Sequence, residues 1–195
     1  MKKTASFLTA YIIRKGIIED DERNIYEYGF LTMLELGTNI LLSAIIAGML
    51  HMMFEGLLFF LIFIPLRAYA GGLHMNRYGT CLVFSCLTFF AVLEITATVS
   101  VPVWISMVCI LLLNILVYFL YPVENINRTV DNDEDNYFKK RLRMFLVLDI
   151  AISGACLLLN KDRWLVLITV TFLLVVITMG IGKIRYALEE SKAQK

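Results

Sequence analysis

Long apolar runs without any charge constrain this chain more than any other feature of its sequence. No charged residue occurs between Glu94 and Glu124, or between Arg163 and Lys183. Charged residues make up 18% of the 195 residues and hydrophobic residues 59%, whereas soluble domains are about 25% charged. Because about 20 apolar residues suffice for one membrane crossing, we predict a polytopic membrane protein.

Hydropathy divides the chain into six predicted spans separated by short breaks, at about 37–51, 54–70, 80–98, 101–121, 144–160 and 163–182. The breaks are short enough for some segments to be re-entrant or half-spanning, which leaves the count of six open by about one or two. The predicted fold class is therefore an all-α polytopic membrane protein, with about six transmembrane or partly re-entrant helices and an N-terminal amphipathic interfacial helix. One domain is predicted over 1–195, made of N-terminal helices (1–36), four spans (37–121), a cytoplasmic loop (122–143), two spans (144–182) and a cytoplasmic tail (183–195).

The N-terminal region is amphipathic. Residues 5–18 are apolar, are flanked by basic residues and are too short to cross, which favours a helix lying at the cytoplasmic interface. The next helix, which Asp20 and Asp21 are predicted to cap, carries a polar stripe at helical spacing. We expect this stripe to face protein or a water-filled cavity, or alternatively to meet water before the helix enters the bilayer. It consists of Asn24, Tyr28, Thr32, Glu35, Asn39 and Ser43.

The basic residues orient the predicted spans. With the N-terminus in the cytoplasm, every basic residue except Lys161 and Arg163 falls on an inner segment, as the positive-inside rule requires. Residues 67–81 and both termini are then cytoplasmic. The inner loop 122–143 is acidic at first and ends in a basic run. We interpret that run either as an anchor on anionic lipid or as a docking strip for a charged peptide.

One polar stretch, residues 67–81, interrupts the apolar sequence and holds the candidate catalytic groups. His74 stands seven residues before Cys81, the only cysteine outside a long apolar run. A thiol attacks as its thiolate, and histidine can serve as its general base and then as the acid for a leaving amine. On one continuous helix the two residues would lie roughly 10 Å apart along the axis. We therefore predict a break in the backbone between them, at Gly79.

Four further residues could assist this pair. Gly71 and Gly72 permit backbone conformations closed to other residues, and their N–H groups could face a developing oxyanion. Arg67 could clamp a substrate carboxylate or carbonyl. Glu35 could orient His74 or pair with Arg67. Spacing alone leaves open the alternative that His74 and Cys81 are structural bystanders.

The remaining cysteines predict no further chemistry. Cys86, Cys109 and Cys156 lie in apolar runs, where a free cysteine behaves as a small hydrophobic residue. No CxxC spacing occurs and the chain has only two histidines, which makes a Cys/His zinc site improbable. We predict neither a metal ion nor a cofactor.

The run from Arg67 through Gly71-Gly72-Leu73-His74 to Cys81 resembles the signature of the accessory gene regulator B (AgrB) family. The resemblance covers most of the chain. Its length is similar, Tyr28-Gly29 and Glu35 precede the signature, and the loop from Pro122 to the basic residues follows the fourth span. The His-x6-Cys spacing after a Gly-Gly pair is fairly specific in this hydropathy context. The acidic residues 131–135 exceed what the family pattern leads us to expect.

This resemblance implies a membrane-embedded cysteine endopeptidase of Gram-positive peptide quorum sensing and virulence regulation. His74 would be the base and Cys81 the nucleophile. The substrate would be an AgrD-like propeptide with an amphipathic leader, a central signal segment and an acidic tail. The enzyme would remove the tail and promote cyclisation to a thiolactone or lactone. The expected supporting features are a homodimer in the cell membrane and substrate docking by Lys139, Lys140 and Arg141.

The competing hypothesis is a small transporter or exporter of a peptide or ion, with the polar stripe along its pathway. Its support is a set of polar residues in predicted spans, namely Glu35, Glu55, Glu94 and Asn114. Against it, six spans leave little room for alternating access and no inverted repeat is visible. A structural scaffold would leave the Gly-Gly-x-His loop unexplained. The net charge of +1 gives no case for a nucleic-acid partner.

Overall fold

A computed structural model describes residues 1–71, 78–122 and 132–193, and in these ranges the protein is helical without strands. This result confirms the predicted all-α class. The helices in the described ranges are α1 (Lys2–Arg14), α2 (Arg23–Met49), α3 (Met53–Ala70), α4 (Tyr78–Thr98), α5 (Val103–Leu120), α6 (Asn132–Leu158) and α7 (Asp162–Ala193).

Five helices in the described ranges are long and apolar enough to cross a membrane, namely α2 with the turn before it, α3, α4, α5 and α7. Their large apolar side chains point outward as well as inward. Leu57 is 68% exposed and Phe119 73% exposed. Apolar faces of this extent are costly in water and favourable against lipid.

The predicted span 144–160 lies in α6, which is not among these five helices. α6 begins at Asn132, so the second half of the predicted loop 122–143 is helical. Its charged residues continue to Arg143, and Asp149 lies beyond them. The part of α6 after Arg143 rises about 22 Å, less than the ~30 Å hydrocarbon core of a bilayer.

The N-terminal helices form a packed pair. α1 contacts α2, and Ala5 and Thr9 on α1 are fully buried. A 3₁₀ turn at Asp20–Glu22 precedes α2, and no side chain caps the start of α2. The prediction that Asp20 and Asp21 cap this helix was therefore wrong. Oδ1 of Asp20 instead forms a salt bridge with Nε of Arg23 at 3.7 Å.

The polar stripe on α2 changes its surroundings along the helix. Asn24, Tyr28 and Thr32 are exposed, whereas Ser43 is buried. The Ser43 hydroxyl donates a hydrogen bond to Asn39 Oδ1 at 3.4 Å. α2 runs from Arg23 to Met49 without a break, so the predicted boundary at residue 36 is not a helix end. The stripe thus passes from an open surface into the helix bundle.

The core of the bundle is organised around α7, which packs against α3, α4, α5 and α6. Its buried side chains include Leu165, Phe172 and Met179. A close approach joins α2, α3 and α4, because a Cβ at Gly56 would lie 3.1 Å from Ala47 Cβ and 3.2 Å from Phe89 Cζ. The candidate site lies at the other end of α3, where this helix ends at Ala70, and at the start of α4 at Tyr78.

Candidate active site at the ends of α3 and α4

The backbone leaves α3 in a conformation reserved for glycine. Gly71, directly after the helix, has φ 81° and ψ −163°. This region is essentially closed to residues with a Cβ atom. The Arg67 guanidinium, one turn earlier, donates a hydrogen bond from Nη1 to the Gly71 carbonyl oxygen at 3.4 Å. Arg67 therefore contacts the backbone at the exit of its own helix.

Cys81 lies on the neighbouring helix as the fourth residue of α4, and its side chain is half-buried. The thiol is close enough to the Arg67 guanidinium for a coulombic interaction between them. A position in the first turn of a helix also places the sulfur near the partial positive charge of that helix end. Reactive cysteines are found in electropositive, partly exposed surroundings of this kind.

The predicted break at Gly79 was wrong. Gly79 lies inside the first turn of α4, which begins at Tyr78. A Cβ atom added at Gly79 would enter open space, because no other atom lies within 4 Å of its position. Residues 72–77 fall outside the described residues, so a break there stays a prediction.

The structure brings together some of the predicted site residues and leaves others untested. Arg67 contacts Gly71 and interacts electrostatically with Cys81, whereas Gly72 and His74 fall outside the described residues. Glu35 is half-buried on α2, a helix that packs against both α3 and α4. Its predicted interaction with His74 or Arg67 stays a prediction.

The basic run lies in the first half of α6. Lys139 is half-buried, and Lys140 and Arg141 are exposed. Arg141 donates from Nε to the Tyr137 hydroxyl at 3.1 Å, and its guanidinium carbon lies 5.2 Å from the centroid of that ring. These contacts orient Arg141 along the helix while its charge remains accessible.

Two contacts near this run were missed at the sequence level. The Tyr121 hydroxyl, after α5, donates a hydrogen bond to Asp135 Oδ1 at 2.7 Å. Tyr69 on α3 stacks on Phe145 of α6. Both join residues that are far apart in sequence, and nothing in a local pattern predicts such pairs. The aromatic and acidic residues themselves were the only available signal.

Asn114 and Asp149 are polar residues buried in the helix bundle. Asn114, one of the residues of the transporter hypothesis, donates from Nδ2 to the Leu146 carbonyl at 3.0 Å and so joins α5 to α6. Asp149 is buried, and its Oδ2 accepts no hydrogen bond from the described residues. No three His, Cys, Asp or Glu side chains in ranges 1–71, 78–122 and 132–193 lie together as metal ligands.

The other three cysteines have the surroundings expected of apolar residues. Cys156 is buried, Cys86 and Cys109 are half-buried, and each is a free thiol. All three lie within helices. Cys81 therefore differs from them in its place at a helix start and in its electrostatic interaction with Arg67.

Comparison with known families decides the relationship. The sequence matches the family model described as Accessory gene regulator B over residues 5–179. The chain belongs to the AgrB family. No curated protein and no solved structure matches it. Membership and the apolar helices together make this AgrB protein a membrane protein of the agr quorum-sensing system, associated with a propeptide substrate.

Proposed function

We propose that this AgrB protein is a cysteine endopeptidase that cleaves a quorum-sensing propeptide and promotes cyclisation of the released signal segment. The observation that carries the proposal is that Arg67, which donates a hydrogen bond to the Gly71 carbonyl, also interacts electrostatically with Cys81. A thiol, a cation and a glycine backbone are the groups from which we build the proposed site. Family membership supplies the propeptide.

In the first step, Cys81 attacks the carbonyl at the junction of signal segment and acidic tail. His74 takes the thiol proton, the sulfur forms a bond to the carbonyl carbon, and the carbon–nitrogen bond breaks. His74 then gives the proton to the leaving amine of the tail. The products are the free tail and an acyl-thioester on Cys81.

In the second step, a thiol or hydroxyl within the signal segment attacks the acyl-thioester. The new ring bond forms as the bond to Cys81 breaks, and the proton of the attacking group returns to the Cys81 sulfur. Exchange of one thioester for another is nearly isoenergetic, so water must be kept from the acyl-enzyme. A site between the ends of α3 and α4 suits that need, since both helices pack into the bundle.

The supporting roles follow from charge and backbone geometry. The Arg67 guanidinium stabilises negative charge on the Cys81 sulfur and holds the Gly71 carbonyl. The N–H groups of Gly71 and Gly72 are the candidate donors to the oxyanion. Glu35 orients His74 or pairs with Arg67. Lys139, Lys140 and Arg141 dock the acidic tail by charge.

The proposal includes an orientation and an assembly. The N-terminus, the C-terminus and the 67–81 segment face the cytoplasm of a multi-pass protein in the cell membrane, because the basic residues concentrate there. A newly made propeptide would then meet the site directly. The protein acts as a homodimer, for which the exposed apolar surface and the polar stripe of α2 leave room.

The decisive experiment co-expresses the protein with the propeptide encoded beside its gene. Cys81→Ala and His74→Ala are each expected to abolish release of the acidic tail while remaining in the membrane. Cys86→Ala and Cys109→Ala are the matched controls and are expected to cleave as the wild type does. If both Cys81→Ala and His74→Ala still release the tail, the protease proposal fails.

A further inference from the structure

The end of α3 is held by an aromatic contact that the proposed reaction does not use. The Tyr69 ring stacks on Phe145 with 5.5 Å between centroids and 18° between ring planes. It meets Phe138 edge-on at 5.9 Å and 64°. Phe138 and Phe145 are seven residues apart on α6 and therefore share one face of that helix. Two turns of α6 thus hold a single ring of α3.

The residues around Tyr69 are firmly packed. Leu66 and Ala70 are buried on α3, and Leu142 and Leu146 are buried on α6. Close-packed interiors transmit displacement and do not absorb it. A shift of α6 against the end of α3 would therefore break the stack on Tyr69.

The two ends of this contact belong to different parts of the candidate site. Two residues before Tyr69, Arg67 contacts the Gly71 carbonyl and interacts with Cys81. Next to Phe138, Lys139 begins the basic run, whose members Lys140 and Arg141 are exposed. Tyr69 therefore joins the end of α3 that carries Arg67 to the helix that carries the basic run.

We propose that Tyr69 is a positioning residue, and that its stack on Phe138 and Phe145 sets the distance between the basic run of α6 and the Cys81 thiol. The inference rests on the proposed function, which makes Cys81 the nucleophile and the basic run the docking strip. A peptide held at its tail presents its scissile carbonyl to Cys81 only at one spacing. A misplacement of about 1 Å can cost roughly 100-fold in rate.

The ring of Tyr69, and not its hydroxyl, carries this role. Within the described residues the Tyr69 contacts are ring contacts, and its hydroxyl makes no hydrogen bond there. Phenylalanine preserves the stacking geometry, since the aromatic interaction depends on the ring faces and edges. Leucine keeps an apolar side chain of useful size but removes the stack.

The test uses the purified full-length protein in lipid nanodiscs and a synthetic copy of the propeptide encoded beside its gene. Tyr69→Leu is expected to lower kcat at least about ten-fold, with KM within about two-fold of wild type, because docking is intact and alignment is lost. Tyr69→Phe is expected to retain kcat within about two-fold.

A matched control lies on the same helix. Phe60 stacks on Phe89 of α4 with 5.1 Å between centroids and 20° between planes, away from the end of α3. Phe60→Leu removes a stack of similar geometry and is expected to leave kcat within about two-fold. A kcat loss in Phe60→Leu equal to that in Tyr69→Leu would show general loosening of the bundle and overturn the inference.

A double variant tests whether the two rings act together. If Tyr69 acts through Phe145, Tyr69→Leu with Phe145→Leu should lose no more than the larger single loss, since interacting residues are not additive. Multiplied losses would contradict the inference. Should Tyr69→Leu fail to insert, Phe138→Leu replaces it and is expected to lower kcat by a smaller factor.

The other outcomes are equally distinct. A wild-type kcat in Tyr69→Leu would overturn the positioning role. A ten-fold loss of kcat in Tyr69→Phe would also overturn it, because the effect would then belong to the hydroxyl and not to the ring. Failure of the proposed function has its own signature, because Cys81→Ala would then cleave the propeptide or the wild type would not. That result would overturn both proposals.

Discussion

At the scale of single residues, Gly71 is the position whose backbone conformation most restricts the residue type that can occupy it. Its φ of 81° and ψ of −163° lie in a region that costs other residues about 1–3 kcal/mol. Gly71→Ala is therefore expected to turn the Gly71 carbonyl away from Arg67 and to lower propeptide cleavage about ten-fold or more. Cleavage in the co-expression assay, with membrane insertion checked by fractionation, measures this.

Gly79 supplies the control for that substitution. It is helical and has open space where a Cβ would stand, so Gly79→Ala is expected to be neutral or mildly stabilising. Equal activity of both alanine variants would contradict the role of the Gly71 backbone. The glycine requirement at 71 was predictable from the Gly-Gly pair. The hydrogen bond from Arg67 to Gly71 was not predictable, because the sequence is equally compatible with an arginine that binds a substrate group.

At the scale of elements, the hydrogen bond from Tyr121 to Asp135 Oδ1 joins the end of α5 to the first turn of α6. Tyr121→Phe removes it, at a cost of about 1 kcal/mol, and is expected to speed hydrogen–deuterium exchange in the first turns of α6. Tyr118→Phe, one turn earlier, is the control and should leave exchange unchanged. Identical exchange in the two variants would mean that this hydrogen bond does not hold α6.

The hydrogen bond between Tyr121 and Asp135 contributes to stability only over a defined pH range. Partial burial, and then the hydrogen bond and the negative charge of Asp135, raise the pKa of the Tyr121 phenol above its ordinary value of 10.0. A raised pKa means that the folded state binds the proton more tightly. The contribution to stability is therefore complete below pH 10 and is lost as the pH rises beyond it. At neutral pH this contribution does not change. Hydrogen–deuterium exchange in α6, corrected for the intrinsic exchange rate, is therefore expected to show no pH dependence that comes from this hydrogen bond.

The observed bounds of the helices show where sequence patterns predict structure and where they do not. Spans 54–70 and 80–98 nearly coincide with α3 and α4, because these apolar runs hold few charged residues. α2 and α6 extend far beyond the predicted spans, since their polar halves carry charged residues that favour helix and loop alike. The contact of Tyr69 with Phe138 depends on tertiary packing, which no local period encodes.

At the scale of the whole molecule, the distribution of basic residues predicts which ends of the helices face outward. Lys161 and Arg163, at the turn from α6 to α7, are the only basic residues on the predicted outer side. In the described part of the chain five helices are apolar enough to cross, and α6 must also reach the outer side for both termini to lie inside. The position of the α6–α7 turn is therefore the sharpest test of the orientation.

Single cysteines can report this position in a variant whose four native cysteines are alanine. Ile17→Cys lies between α1 and α2, Val99→Cys after α4, and Leu159→Cys after α6; all three positions are exposed. A membrane-impermeant maleimide on intact cells is expected to label Val99→Cys and Leu159→Cys, but to label Ile17→Cys only after permeabilisation. Labelling of Val99→Cys without Leu159→Cys would mean that α6 does not cross. Labelling of Ile17→Cys on intact cells would reverse the orientation and remove the cytoplasmic site on which propeptide processing depends.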